Sequence, residues 1–327
     1  MTHAGGRPST VLADGVRLRP VTAAEVPECG TIWRDSINDY MGRLNLPSIP
    51  SELGPIGRLH AHLHATDPER FWVAVRERPD GTSSRPLAFG AATRRDDVWF
   101  LSMLFVRPGE QGHGIGRALL RCLMPRDGAA LGTGTDSAQP ISNALYATLG
   151  MIPRMPLLGL VGRPRDLTPL GMLPSGVTGV PFEQLADGPP GSPGHRALVD
   201  AVDALDREVA GFAHPQDHRF LRGEGRRGFL YRGPDGADLG YGYASEVGRV
   251  GPVAVRDETL LTPVLGHLLT AVAPRDASIA WVPGHAGPAV AGLLRAGLRL
   301  DGFPVLLCWD RPFADFSRYL PISPGLL

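Results

Sequence analysis

Apolar positions along the chain alternate between strand-like runs and helix-like spacing, and one stretch joins both. Leu101, Met103, Leu104, Phe105 and Val106 form an apolar run that Pro108 closes. It is too short for a buried helix and reads as a buried strand. Beyond Gln111-Gly112-His113-Gly114-Ile115-Gly116, apolar residues return at Ile115, Ala118, Leu119 and Cys122, the spacing of one helical face. Upstream, Val16–Pro20 alternates like a first strand, and residues 23–40 carry helical spacing through Val26, Ile32, Trp33 and Ile37. The pattern predicts a short second helix over 58–65. It predicts a strand pair, 70–77 and 87–93, around Pro79-Asp80-Gly81, and a strand beginning at Val98. Downstream it predicts a glycine-diluted strand at 129–136, a helix at 142–150 and a strand at 157–161.

The turn at 111–117 has the chemistry of an anion cradle. Glycines let the backbone bend so that several N–H groups face one space, and the positive end of the helix dipole faces it too. Arg117, in the first helical turn, adds a full charge. A diphosphate suits such a site. No Lys-Ser/Thr follows the glycines, which excludes a P-loop, and their every-second-residue spacing disfavours a dinucleotide oxidoreductase.

With Val106-Arg107-Pro108 ahead of it, the segment Gln111, Gly114, Gly116 resembles motif A of the GNAT superfamily of acyl-CoA N-acyltransferases, (Gln/Arg)-x-x-Gly-x-(Gly/Ala). The element order over residues 14–165 is similar to that superfamily throughout. After a Pro- and Gly-rich stretch, 166–195, the order repeats over 196–327, with Arg256-Asp257-Glu258-Thr259 where the glycine turn would stand. The resemblance therefore implies an α+β fold of two GNAT-like domains, each a twisted mixed sheet flanked by helices, the second having lost its cofactor motif. Mycothiol synthases share this tandem plan with the live motif in the other half, so their substrate is not carried over.

The resemblance implies transfer of an acyl group, acetyl by default, from acetyl-CoA to a primary amine by direct attack. The diphosphate falls to Gln111, Gly112, His113, Gly114, Ile115, Gly116 and Arg117. The backbone of Leu104, Phe105 and Val106 would hold the pantetheine arm and polarise the thioester carbonyl. Asn143-x-x-Tyr146-x-x-x-Gly150 is similar to the family segment in which Asn contacts pantetheine and the Tyr hydroxyl lies near the sulfur. Tyr146 is accordingly the expected proton donor to the leaving thiolate. The base is not evident: Asp35, Asp39, Asp96, Asp97 and the carboxylate of Leu327 are the candidates. Leu327 enters because, in the family named for enhanced intracellular survival, the chain end reaches the active site. A CoA-binding sensor or scaffold without turnover is the alternative reading.

Composition narrows the partners. The 327 residues carry 33 Lys+Arg and 33 Asp+Glu, all the cations being arginine, so no nucleic-acid footprint or polybasic membrane patch is expected. Cys29, Cys122 and Cys308 match no metal or disulfide spacing. His60-Ala-His62-Leu-His64 reads as a solvated helix, and His214-Pro-Gln-Asp217-His218 as a cap that ties down its own helix. The expectation is a cytoplasmic bacterial enzyme with a small-molecule amine substrate and no metal.

Overall fold

The computed structural model describes residues 10–12, 15–76 and 85–327. The chain forms two compact units, Met1–Arg94 with Trp99–Ala129, and Arg95–Val98 with Ala130–Leu327. The expected turn at 79–81 lies outside the described residues.

In the first unit, β1 (Thr10–Val11), β2 (Val16–Pro20), β3 (Phe71–Arg76), β4 (Ala88–Arg95) and β5 (Val98–Val106) form consecutive sheet neighbours. The β1–β2, β2–β3 and β3–β4 pairs are antiparallel. Phe71 to Val75 are all buried, which is why β3 reads as a continuous apolar run without alternation. Helices α1 (Val26–Arg43) and α2 (Gly54–Thr66) precede β3, and α3 (Ile115–Leu123) follows β5. Gly54-Pro55 opens α2 four residues ahead of the predicted start, the proline filling a first-turn position where its missing N–H costs nothing.

His60 corrects the expectation of a solvated helix. It is fully buried, packed edge-on against Phe89 and Phe71 with ring centroids 5.1 and 6.0 Å away. Neither ring nitrogen has a hydrogen-bond partner. Burial alone pushes its pKa down to about 4.

The second unit begins with β6 (Ala130–Asp136), α4 (Pro140–Ala147) and β7 (Ile152–Gly162). Then come β8 (Thr178–Pro181), α5 (Phe182–Leu185), α6 (Pro193–Val209), α7 (Pro215–Gly223), β9 (Arg227–Arg232), β10 (Asp238–Ala244) and β11 (Arg249–Val255). It ends with α8 (Leu261–Ala271), β12 (Ser278–Pro283), α9 (Gly287–Arg295), β13 (Arg299–Leu300), β14 (Val305–Trp309) and β15 (Tyr319–Leu320). The strand order is β6-β14-β7-β12-β11-β10-β9-β8, with β13 on β7 and β15 on β11. The stretch 166–195 is thus not wholly irregular, since β8 pairs antiparallel with β9. Strand β7 is longer than the predicted 157–161; Pro153 and Pro156 disguise its first half.

The division falls at Ala129, and the strand order shows what the second unit gathers. β14, from the far end of the chain, lies between β6 and β7 and pairs antiparallel with both; β7 in turn pairs with β12. Gly134 in β6 admits the chain's last turn, because a Cβ there would stand 2.8 Å from the Pro324 carbonyl oxygen. Leu326 and Leu327 are buried. A core of Val253, Val255, Leu261, Val264, Leu265, Leu268 and Val282 joins β11, α8 and β12. Among the described residues no helix is long and apolar enough to cross a membrane.

His60 gives stability a pH dependence. Its depressed pKa means that the unfolded chain takes up a proton below about pH 6.5 that the folded chain refuses down to about pH 4. Stability from this group is therefore present above the unfolded value and lost as pH falls through that window. Denaturant unfolding should show wild type losing about 2–3 kcal/mol more than His60→Phe between about pH 7.5 and about pH 4.5. Equal losses would contradict the assignment.

Candidate functional site

The first unit builds the cradle from the end of β5 onward. Phe105 stacks on Phe89 at 5.7 Å and holds the strand end against the core. The Val106 carbonyl accepts two hydrogen bonds, from Ser36 Oγ and from Gln111 Nε2, both 3.0 Å. Gln111 thus braces the loop by reaching back five residues. Arg107 pins the turn from the other side. Its N–H donates to Leu87 O at 2.9 Å, its Nε to Pro86 O at 2.9 Å, and its guanidinium meets Asp35 at 3.0 Å and Glu28.

Two glycines then take left-handed backbone: Gly112 at φ +83° and Gly114 at φ +81°, the latter as N-cap of α3. A Cβ at either would meet open space, so conformation rather than crowding calls for glycine there. Gly116 is different. It is helical, and a Cβ there would touch Val106 Cγ2 at an ordinary 3.4 Å. The helix is anchored by Ile115, Leu119, Leu120 and Leu123, all buried. Each contributes roughly 1.5–3 kcal/mol by leaving water. Its buried face is therefore rotated from the predicted one, with Ala118 and Cys122 at the edge.

The result is a fan of donors. The backbone N–H groups of Gly112, His113, Gly114, Ile115, Gly116 and Arg117 meet no backbone or side-chain acceptor among the described residues. A helix start always leaves its first N–H groups without intrahelical partners; here the preceding loop adds more. The loop from Gln111 to Gly114 and the Arg117 side chain are exposed. Unpaired N–H groups, a helix N-terminus and a guanidinium on one exposed turn suit a multiply charged anion.

The second unit holds Asn143 and Tyr146 on α4. The Asn143 amide donates to Gln139 O at 2.8 Å and to Asp136 O at 3.1 Å, tying α4 to the end of β6. Its Oδ1 is buried without a donor. That acceptor is available to an amide N–H. Tyr146 is buried, and burial, with the neighbouring Cys308 second, raises its pKa well above the phenol range. The hydroxyl therefore keeps its proton at neutral pH. Cys308 is likewise pushed up to about 12 by burial and is no nucleophile.

Three of the candidate bases are engaged by arginines or an amide. Asp35 pairs with Arg107 at 3.0 Å and Arg34 at 3.1 Å, and Asp39 with Arg43 at 2.6 Å. Asp96 accepts the Ala213 N–H at 2.9 Å and faces Arg207 at 3.3 Å. The Asp97 carbonyl accepts from Ala130 N–H at 2.9 Å.

Sequence reasoning missed a buried polar cluster in the second unit. Asp206 on α6, His214, Asp217 and His218 at the start of α7, Tyr241 and Tyr243 on β10, and Arg95 are all buried and linked by polar contacts. The polar run 214–218 was the available signal, yet its partners lie up to 122 residues away. The reading of that run as a local cap is corrected accordingly. Tyr241 and Tyr243 pack in the sheet and also turn their hydroxyls into this cluster.

Comparisons with known proteins bear on this arrangement. Residues 36–151 match the model of the Acetyltransferase (GNAT) family, a span that contains the glycine turn and reaches past Tyr146. Over that segment the chain is similar to the GNAT family. Its fold is similar to that of a candidate acetyltransferase from Pyrococcus horikoshii, with TM-score 0.71 at 13% identity over 100% of this chain and 99% of that one. A GCN5-related N-acetyltransferase from Sphaerobacter thermophilus aligns with TM-score 0.56 at 18% identity, covering 94% of this chain and 100% of the other. A tandem GNAT protein from the clavulanic acid biosynthesis pathway aligns with TM-score 0.50 at 18% identity, covering 91% and 99%. These likenesses bear out the mixed α/β fold expected from the sequence. No curated protein matches the chain in sequence.

The two glycine classes make separable predictions. Gly114→Ala, forced into a left-handed backbone, should cost about 1 kcal/mol and lower the melting temperature. Gly116→Ala should leave it unchanged or higher, since alanine is the better helix former. Calorimetric melts of both variants check this, and equal melting temperatures would contradict it.

Proposed function

We propose that this chain is an N-acetyltransferase that moves the acetyl group of acetyl-CoA to the primary amine of a small molecule by direct attack. The observation that carries the reading is the fan of unpaired N–H groups at 112–117, lying inside the segment that matches the GNAT family. In this reading the chain is a tandem of a live domain, 14–165, and a degenerate one, 196–327, which have exchanged strands. The likeness to a tandem GNAT protein over 91% of the chain supports that plan.

Roles follow from the chemistry of each group. The N–H groups of 112–117 and the Arg117 guanidinium neutralise the diphosphate, and Gln111 holds the loop by its bond to Val106. The strand end at Leu104, Phe105 and Val106 supplies backbone for the pantetheine arm and the thioester carbonyl. Asn143 Oδ1 accepts from a pantetheine amide. The amine attacks the thioester carbon, the tetrahedral intermediate collapses, and the C–S bond breaks. Tyr146, still protonated at neutral pH, gives its proton to the departing thiolate. The amine itself loses a proton to bulk water or to an ordered water chain, since Asp35, Asp39 and Asp96 are committed to arginines or an amide. No observation favours the non-catalytic sensor.

Release of free CoA thiol in the presence of an amine panel tests the reading. Tyr146→Phe should lower kcat about 100-fold with little change in the KM for acetyl-CoA, the pattern of a lost general acid. An unchanged kcat would remove Tyr146 from the chemistry. No thiol release with any amine would remove the transferase reading itself.

A further inference from the structure

We infer that the buried cluster of the second unit is a binding site for a divalent transition-metal ion of the Zn2+ class, held by Asp206, His214 and His218. Among the described residues these three offer ligand atoms that all lie within 4.8 Å of one another, and all three side chains are buried. His214 is the N-cap of α7 and His218 lies in its first turn, and the His218 N–H donates to the His214 carbonyl at 3.2 Å, which brings the two residues together.

The directions of the atoms make the case. Each side chain aims one atom at the others and commits its second to an outer partner. His218 presents Nε2, while its Nδ1 is 3.0 Å from the Tyr243 hydroxyl. Asp206 presents Oδ2, while its Oδ1 accepts from the Tyr241 hydroxyl at 2.5 Å. His214 presents Nε2, while its Nδ1 faces Asp217 Oδ2 at 3.6 Å, and Arg95 fixes Asp217 with bonds of 2.7 and 2.9 Å. Outer partners that set the tautomer and angle of each ligand are the hallmark of metal sites.

His214 supplies the independent observation. Its ring is wholly buried, yet neither nitrogen makes a hydrogen bond. Were the ring simply an imidazolium clamped between carboxylates, charge-assisted bonds of roughly 2.7–2.9 Å would be expected. It stands off instead, at 3.3 Å from Asp206 and 3.6 Å from Asp217. Ligand atoms about 2.0–2.1 Å from a tetrahedral Zn2+ lie roughly 3.3 Å from each other, which the His214–Asp206 pair already meets. The His218–Asp206 contact, 2.8 Å, holds a proton in the free protein and widens on coordination. His218 then shifts that proton to Nδ1, which donates to the Tyr243 oxygen, so the ligand remains neutral. Two imidazoles and one carboxylate match the donor preference of Zn2+ and its neighbours in the series.

An entry route is present. A pocket lined by His195, Leu198, Val202, Asp203, His218 and Arg222 opens beside His218. Within that lining Asp203 keeps Oδ1 buried and unpartnered, a waypoint or fourth oxygen donor. The ligands come from α6 and the start of α7, and β10 supplies two of their outer partners.

The test uses the full-length, tag-free protein. After dialysis against chelator it is titrated with Co2+ while visible d–d absorption is recorded, and Zn2+ is then added to displace it. One equivalent of Co2+ should give an intense tetrahedral-type spectrum that one equivalent of Zn2+ abolishes, and Zn2+ should raise the melting temperature. His214→Gln should lose the spectrum. Tyr243→Phe, which leaves all three ligands in place, should weaken Zn2+ binding about tenfold. Absence of a stoichiometric spectrum in the wild type, or its survival in a folded His214→Gln, overturns the proposal and leaves the cluster held by protons alone.

Discussion

Peptide N–H groups that meet no acceptor within the protein are costly when buried and useful when exposed, and the first unit exposes a row of them. Between the Val106 carbonyl and the first turn of α3, the chain reverses through two left-handed glycines. Among the described residues, no donor from Gly112 to Arg117 meets a protein acceptor. The surroundings keep this arrangement in place. Ser36 and Gln111 converge on the Val106 carbonyl, Arg107 is held by two carboxylates and two backbone carbonyls, and four apolar residues seat α3. A loop braced on both sides holds its donors in a fixed arrangement, which is the electrostatic advantage of a preformed site.

The second unit follows a different logic. Its strands come from distant parts of the chain, so β6 and β7 receive β14 between them, and the polypeptide is stapled end to middle. At its centre lies a polar group of residues that a purely apolar core would not need. Asp206 touches two tyrosine- or histidine-based donors at 2.5 and 2.8 Å, and Asp217 is clamped by Arg95. Such networks are worth retaining only when nearly every member is satisfied. Among the described members His214 lacks a hydrogen bond at both ring nitrogens, and that is the gap the proposed ion fills.

How far the sequence revealed this depended on the range of the interactions. The cradle was legible because it is local: strand, glycines and helix lie within 23 consecutive residues, Leu101 to Leu123. The mixed α/β class was legible from element order. The helix face of α3 was read one position off, because Leu120 and Leu123 pack inward in place of Ala118 and Cys122. Long-range pairing was hidden. Nothing near His60 in the chain announces that Phe71 and Phe89 will enclose it. Nothing near the 214–218 run announces the β10 tyrosines or Arg95. Gly134 looked like a weakness in β6, although it is the position at which the returning chain must pass.

The account turns on whether those six N–H groups receive a diphosphate. Backbone amide resonances of the isotopically labelled chain, followed as coenzyme A is added, report on each of them individually. The account predicts large, saturable downfield shifts concentrated at Gly112–Arg117, with His60 and the α6–α7 cluster unmoved. Unchanged resonances at 112–117 under saturating coenzyme A would contradict it.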